Sequence, residues 1–212
     1  MNKLKIVVII IEILYFTINT YSQDTIWLYN GEKLIQNNLK IYEEKEVITF
    51  MDEKEKINEI PLESVFSINY KNGQNKIYFT TDTFNKVSFN VEQMRSYITG
   101  EYNASLYYKD PLATVSGILV GVSSPFISTY FYGSPGIFYS PVFSSLYVTV
   151  IGLTKPKERK IKELYPQYSN DKYYILGYKE VGSQIRIRNS VIGTAIGILI
   201  GTAAQIIISK CN

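Results

Sequence analysis

The sequence has no histidine and a single cysteine, Cys211, in 212 residues. Without histidine there is no imidazole to act as a general base, a metal ligand or a sensor of mild acid. One cysteine rules out an intrachain disulfide and any zinc site built on thiolates. Charge of either sign is not in excess. Lys and Arg number 22 against 19 Asp and Glu, a formal net charge of +3, too small for the footprint of a nucleic-acid binder. No Gly-x-Ser-x-Gly elbow, Walker A loop, dinucleotide fingerprint or EF-hand spacing occurs. A Ser–Lys dyad stays open, although the exported part has no Ser-x-x-Lys motif. The expectation is a protein that is not an enzyme and carries no cofactor or metal.

Polar and apolar residues are present in ordinary proportion, but they are segregated along the chain. Lys3 and Lys5 precede an apolar stretch over residues 6–18, too short for a comfortable membrane span. Thr20 and Ser22 then supply small residues three and one before a cleavage point. Residues 1–22 are thus predicted to be a signal peptide, cut between Ser22 and Gln23 or, with Glu12 interrupting the pattern, retained as an anchor. Either reading exports the β domain. No cysteine comes after the stretch at a position for lipid attachment, so none is expected there.

Residues 23–90 read as a small all-β domain. Short alternating or β-branched stretches fall at 25–29, 34–42, 47–51, 65–70, 77–81 and 86–91, with turn signals at Asn30-Gly31 and Asn72-Gly73. The second dipeptide predicts a type I′ hairpin, with positive φ at both central positions. About six strands of this length suit a strongly bent, barrel-like sheet, which removes its own edges. Asn90 with Gln93 three residues on is a capping box, opening a connecting helix over 91–110. Met94, Ile98 and Tyr102 recur at helical spacing as a packing stripe, and Gly100 weakens the helix centre. Residues 24–110 carry ten basic and fourteen acidic side chains, a net charge of −4. Their acidic cluster (Glu43, Glu44, Glu46, Asp52, Glu53, Glu55, Glu59) is interleaved with lysines, which favours a solvated surface over a calcium site.

From Pro111 to Thr154 no residue is charged, a run of 44. A span needs roughly 20 apolar residues, so residues 111–154 predict an apolar membrane hairpin: helices over 113–132 and 137–153 about a Gly133-Ser134-Pro135-Gly136 turn. Pro125 and Pro141 should kink them. Tyr130, Tyr132, Tyr139 and Tyr147 are candidate interface anchors. Residues 189–209 form a second uncharged run, with Gly193, Gly197 and Gly201 four apart and Ala195 and Ala203 among them. A transmembrane helix there would show a glycine face open to close packing, a glycine zipper. Gly117 and Gly121 are a matching intramolecular partner; a homo-oligomer is the alternative. The connection, residues 155–188, holds nine basic and four acidic residues, a net +5. Ser169-Asn170-Asp171 looks like a helix start that could run directly into the last span. Basic flanks favour the cytoplasmic side, whereas two crossings by the hairpin put this connection on the exported side. The topology stays open, with the hairpin slightly preferred.

The order of these elements resembles an uncharacterised family of exported proteins of Bacteroidota. The resemblance rests on Asp24-Thr25-Ile26-Trp27-Leu28-Tyr29-Asn30-Gly31, on the strand ending at Asn72-Gly73, and on Met94, Tyr97, Gly100 and Glu101. It continues through Tyr108-Lys109, Phe131-Tyr132-Gly133, then Tyr174, Gly177 and Tyr178, and ends in a basic-flanked glycine-rich span. The chain departs from the pattern at Val181-Gly182-Ser183 and in the poorer glycine content of its first apolar run. The resemblance implies an envelope protein with a small barrel and supplies no activity.

Together these features predict an α+β chain: a small exported β domain, a helix, an apolar helical hairpin and a glycine-zipper C-terminal helix. The expected role is a non-catalytic, membrane-anchored protein of the bacterial cell envelope, its β domain periplasmic and acting as a binding module. The expected partners are membrane lipids, with a second copy or another envelope protein, and no nucleic acid. An oligomeric assembly through the glycine helices and an envelope hydrolase are the alternatives.

Overall fold

The structure, a computed structural model, describes residues 23–36, 39–51, 56–79 and 89–211. The signal segment with Ser22 lies outside the described residues; Gln23 immediately precedes the first strand. The chain divides into two compact units, Met1–Thr80 and Thr81–Asn212.

The first unit holds seven described strands: β1 (Asp24–Leu28), β2 (Lys33–Gln36), β3 (Lys40–Tyr42), β4 (Val47–Met51), β5 (Ile57–Pro61), β6 (Val65–Asn69) and β7 (Asn75–Ile77). They pair antiparallel in two open sheets, ordered β2-β1-β6-β7 and β3-β4-β5. Among the described residues these sheets do not close into a barrel. The stretch expected as one strand over 34–42 is two, β2 against β1 and β3 against β4. The pair Asn37-Asn38, turn-forming by composition, falls between them. Most of the strand expected over 86–91 lies outside the described residues.

One apolar core serves both sheets. Ile26, Leu28, Ile48, Phe50, Val65 and Ile68 are its buried members. Val65 and Ile68 have opposite parity, so a regular strand could not send both to one side. The register shifts between Trp27 and Leu28, which places one extra residue, Phe66, on β6. The bulge restores both side chains to the core and turns Phe66 toward the rings of Tyr29 and Phe79.

The two Asn-Gly turns share one geometry, and it is not type I′. Only the glycines have positive φ, 77° at Gly31 and 85° at Gly73. Gly31 and Gly73 donate to the carbonyls of Leu28 and Tyr70, and the strands close through Leu28 N–H to Glu32 and Tyr70 N–H to Gln74. Each loop is therefore three residues, with glycine in the left-handed position. Asn30 and Asn72 stay out of that region and accept from the N–H two residues on, at 3.0 Å in both.

The second unit is helical: α1 (Val91–Tyr107), α2 (Pro111–Tyr132), α3 (Ser140–Leu153), α4 (Glu158–Leu164) and α5 (Lys172–Cys211). Asn90 and Gln93 form the reciprocal cap of α1. Asp110 caps α2 through Ala113 N–H, with Pro111 in the first turn where no donor is needed. Asp171 accepts from the N–H groups of Tyr173 and Tyr174 at the start of α5. That helix runs 40 residues without a break, about 60 Å at 1.5 Å per residue. Pro141 sits in the first turn of α3, so it begins that helix and does not kink it. Pro125 is inside α2. Its missing N–H leaves the Gly121 carbonyl free, and the Ser124 hydroxyl fills the gap at 2.9 Å.

Candidate functional site: an inside-out helical bundle

α2 and α5 meet along glycines. A Cβ at Gly117 would touch Ser190, Gly193 and Thr194; one at Gly121 would touch Thr194, Gly197 and Ile198. From the other side, Gly193 faces Thr114, Gly197 faces Ile118 and Gly121, and Gly201 faces Val122. Numbers rise together on both helices, so they run parallel. The facing atoms are backbone, which no rotamer change can move aside. Ala195 and Ala203 are exposed and lie off this seam.

α3 returns antiparallel along a row of hydroxyls. Ser128 pairs with Ser140 and Ser124 with Ser144, each at 3.3 Å. Tyr147 donates to the Ala113 carbonyl and shares a hydrogen bond with Ser116. Tyr147 therefore works inside the bundle. Tyr130, Tyr132 and Tyr139 are exposed beside the turn at the opposite end.

The polarity of this packing is reversed. In α2, α3 and residues 189–211, the buried positions described are Ala113, Pro125 and otherwise glycine, serine and threonine. The large apolar side chains point outward, as with Leu119 at 67% and Leu199 at 72% exposure. By length and composition α2 and α5 can each cross a membrane, and the bent pair α3–α4 is a third candidate.

A polar latch closes one end. Arg186 Nε lies 2.7 Å from Asp110 Oδ2, both side chains largely buried. The approach is off the N–H axis, so the contact is ionic more than a linear hydrogen bond. Arg186 also donates to the Thr154 carbonyl, Asn189 to the Asp110 carbonyl, and Tyr108 to Asp110 Oδ2. Three chain segments, before α2, after α3 and within α5, are thus tied at one level.

Beyond the latch, α1 crosses the first half of α5. A Cβ at Gly100 would collide with the Tyr174 carbonyl, and one at Gly177 with that of Tyr97. Gly100 is the contact point of two helices, and not merely a weak residue in one. Tyr174 and Tyr178, which meet it, belong to one packed cluster with Tyr108, Tyr165, Tyr168, Ala104 and Ile161. The Tyr174 hydroxyl accepts from Asn103 at 2.9 Å. Glu101 is 7% exposed, and its Oε2 has no partner among the described residues. Burial pushes its carboxyl up to about 7; a hydrogen bond with Tyr97 opposes the rise and the charge of Glu180 adds to it. Burial and the same carboxylates raise the Tyr97 hydroxyl. The residues Tyr97, Gly100, Glu101, Tyr174, Gly177 and Tyr178, spread over two sequence stretches, meet at this one crossing.

No group of three or more Asp, Glu or Cys side chains is gathered for a metal ion among the described residues. Glu43 of the acidic cluster pairs with Lys76 at 2.7 Å; Asp52, Glu53 and Glu55 lie outside the described residues. The class these observations define is an α+β protein with a helical unit suited by length and composition to cross a membrane. No family model, curated protein or solved structure matches the chain.

Proposed function

We propose that the chain is a non-catalytic, membrane-anchored protein of the bacterial cell envelope, with its β domain as the binding module. The observation that carries the anchoring is the reversed polarity of α2, α3 and the end of α5. In water, large exposed aliphatic faces around a core of glycine and serine would be unstable and sticky. In hydrocarbon the same arrangement is favourable, because association there depends on close packing and interhelical hydrogen bonds.

The helix directions support three passes, α2 out, residues 137–153 back and α5 out again. That reading puts α1, α4 and residues 155–188 on one side and Lys210 on the other. The exposed Tyr130, Tyr132 and Tyr139 then sit at the far interface, where amphipathic rings are favoured. The export segment and the resemblance support a periplasmic position for the β domain. The glycine faces are already used between α2 and α5, which weighs against oligomers built through them.

The test has two readouts on the full chain. It should stay in the membrane pellet after an alkaline carbonate wash and need detergent for release. Mild crosslinking at native abundance should then recover a partner with the β domain. A chain found in the supernatant would contradict the anchor; no partner of any kind would contradict the binding role.

A further inference from the structure

Four exposed cations stand around the latched end of the bundle: Lys109, Lys155, Lys157 and Arg188. None is ion-paired among the described residues, whereas three of the nearby acids are occupied. Asp110 is paired with Arg186, Glu158 with Lys162 and Lys179, and Glu163 with Arg159.

Each cation is held by anchored neighbours. Lys109 lies between Tyr108, whose ring packs edge-on against Tyr178, and Asp110 of the latch. Lys155 adjoins Thr154, whose carbonyl accepts from Arg186. Lys155 and Lys157 flank Pro156, which is buried against Gly182 so closely that a Cβ there would lie 2.6 Å from its Cγ. Arg188 lies between Ile187, packed at Gly152, and Asn189, which donates to the Asp110 carbonyl. The backbone is fixed at these points and only the side chains are free. All four stand where the outward apolar faces begin.

We infer that this collar binds the phosphates of anionic lipid headgroups. The inference rests on the membrane reading above. Cations at the level of a charged headgroup layer gain from its negative potential, and four on a fixed frame concentrate that gain on the lipids touching the bundle. A soluble acidic partner would need to approach along the same layer and compete with it.

The test uses the full chain reconstituted in vesicles of phosphatidylcholine alone, or of phosphatidylcholine with phosphatidylglycerol. Spin-labelled lipids report which headgroup is immobilised against the protein. The parent chain should hold phosphatidylglycerol over phosphatidylcholine by about fivefold. The variant Lys109→Gln, Lys155→Gln, Lys157→Gln, Arg188→Gln should bring this below about twofold. Salt provides a check that needs no variant, since screening should flatten the parent's preference. Absence of preference in the parent, or full preference in an inserted variant, would overturn the collar. Failure of the parent to float with either vesicle would overturn the membrane reading and the collar with it.

Discussion

At Gly100 the helix scale and the packing point in opposite directions. Judged by propensity alone, Gly100→Ala should stabilise α1 by roughly 1 kcal/mol. The Tyr174 carbonyl occupies the space a methyl would need, and backbone cannot rotate away. The expected result is a loss of about 2–3 kcal/mol, as for overpacked cores, measured by denaturation of the purified chain. A gain in stability would mean that α1 and α5 do not cross there. Glu101 gives a prediction in pH. Its folded carboxyl keeps its proton up to about 7, against 4.5 for the ordinary group. Folding therefore holds a proton that the unfolded chain releases, so this group's contribution to stability is full below about 4.5 and is lost as pH rises through about 7. Glu101→Gln should remove that slope and be more stable than the parent by about 2 kcal/mol in mildly alkaline buffer, after discounting for partial screening. A parent whose stability rises over the same interval would contradict the burial of this group.

At the scale of elements, α2 joins a proline break to a serine repair. Ser124 supplies the donor that Pro125 lacks, to the carbonyl of Gly121. Ser124→Ala should cost about 1–2 kcal/mol where no water can replace it. Adding Pro125→Ala, which restores the N–H, should recover much of the loss. Equal damage in the single and double variants would sink this account. Much of this level was legible in the chain. The α1 capping box, both hairpin helices, the unbroken run from Asp171 into the last span and the glycines of α2 and α5 follow from local rules. β5 was not legible, because Ile57–Pro61 comes after a charged stretch and the adjacent Asn58 and Glu59 break the alternation that marks a strand. The two Asn-Gly turns have the right residues for more than one turn type, and the loop length that decides between them is a property of strand register. The serine row had a readable signal, since Ser124 and Ser128, and Ser140 and Ser144, repeat at four. The latch had none. Asp110 and Arg186 are 76 positions apart in the chain, and only the parallel docking of α2 on α5 brings them together.

At the scale of the molecule, the second unit is ordered by two kinds of packing along one helix. The first half of α5 buries tyrosines against α1 and α4, as a water-soluble domain would. Its second half presents glycine inward and isoleucine and leucine outward. The change falls at the Asp110–Arg186 latch, where the uncharged runs begin. Near 30 Å of hydrocarbon fits the 22 residues of α2 at 1.5 Å each.

The direct test is the sidedness of two positions in sealed vesicles. Cys211 is the chain's only cysteine and lies just past the last apolar run. Lys160→Cys in a Cys211→Ser background places a thiol on α4. With a membrane-impermeant maleimide, the two thiols should be labelled from opposite faces of the same membrane. Labelling of both from one face would contradict the crossing of α5.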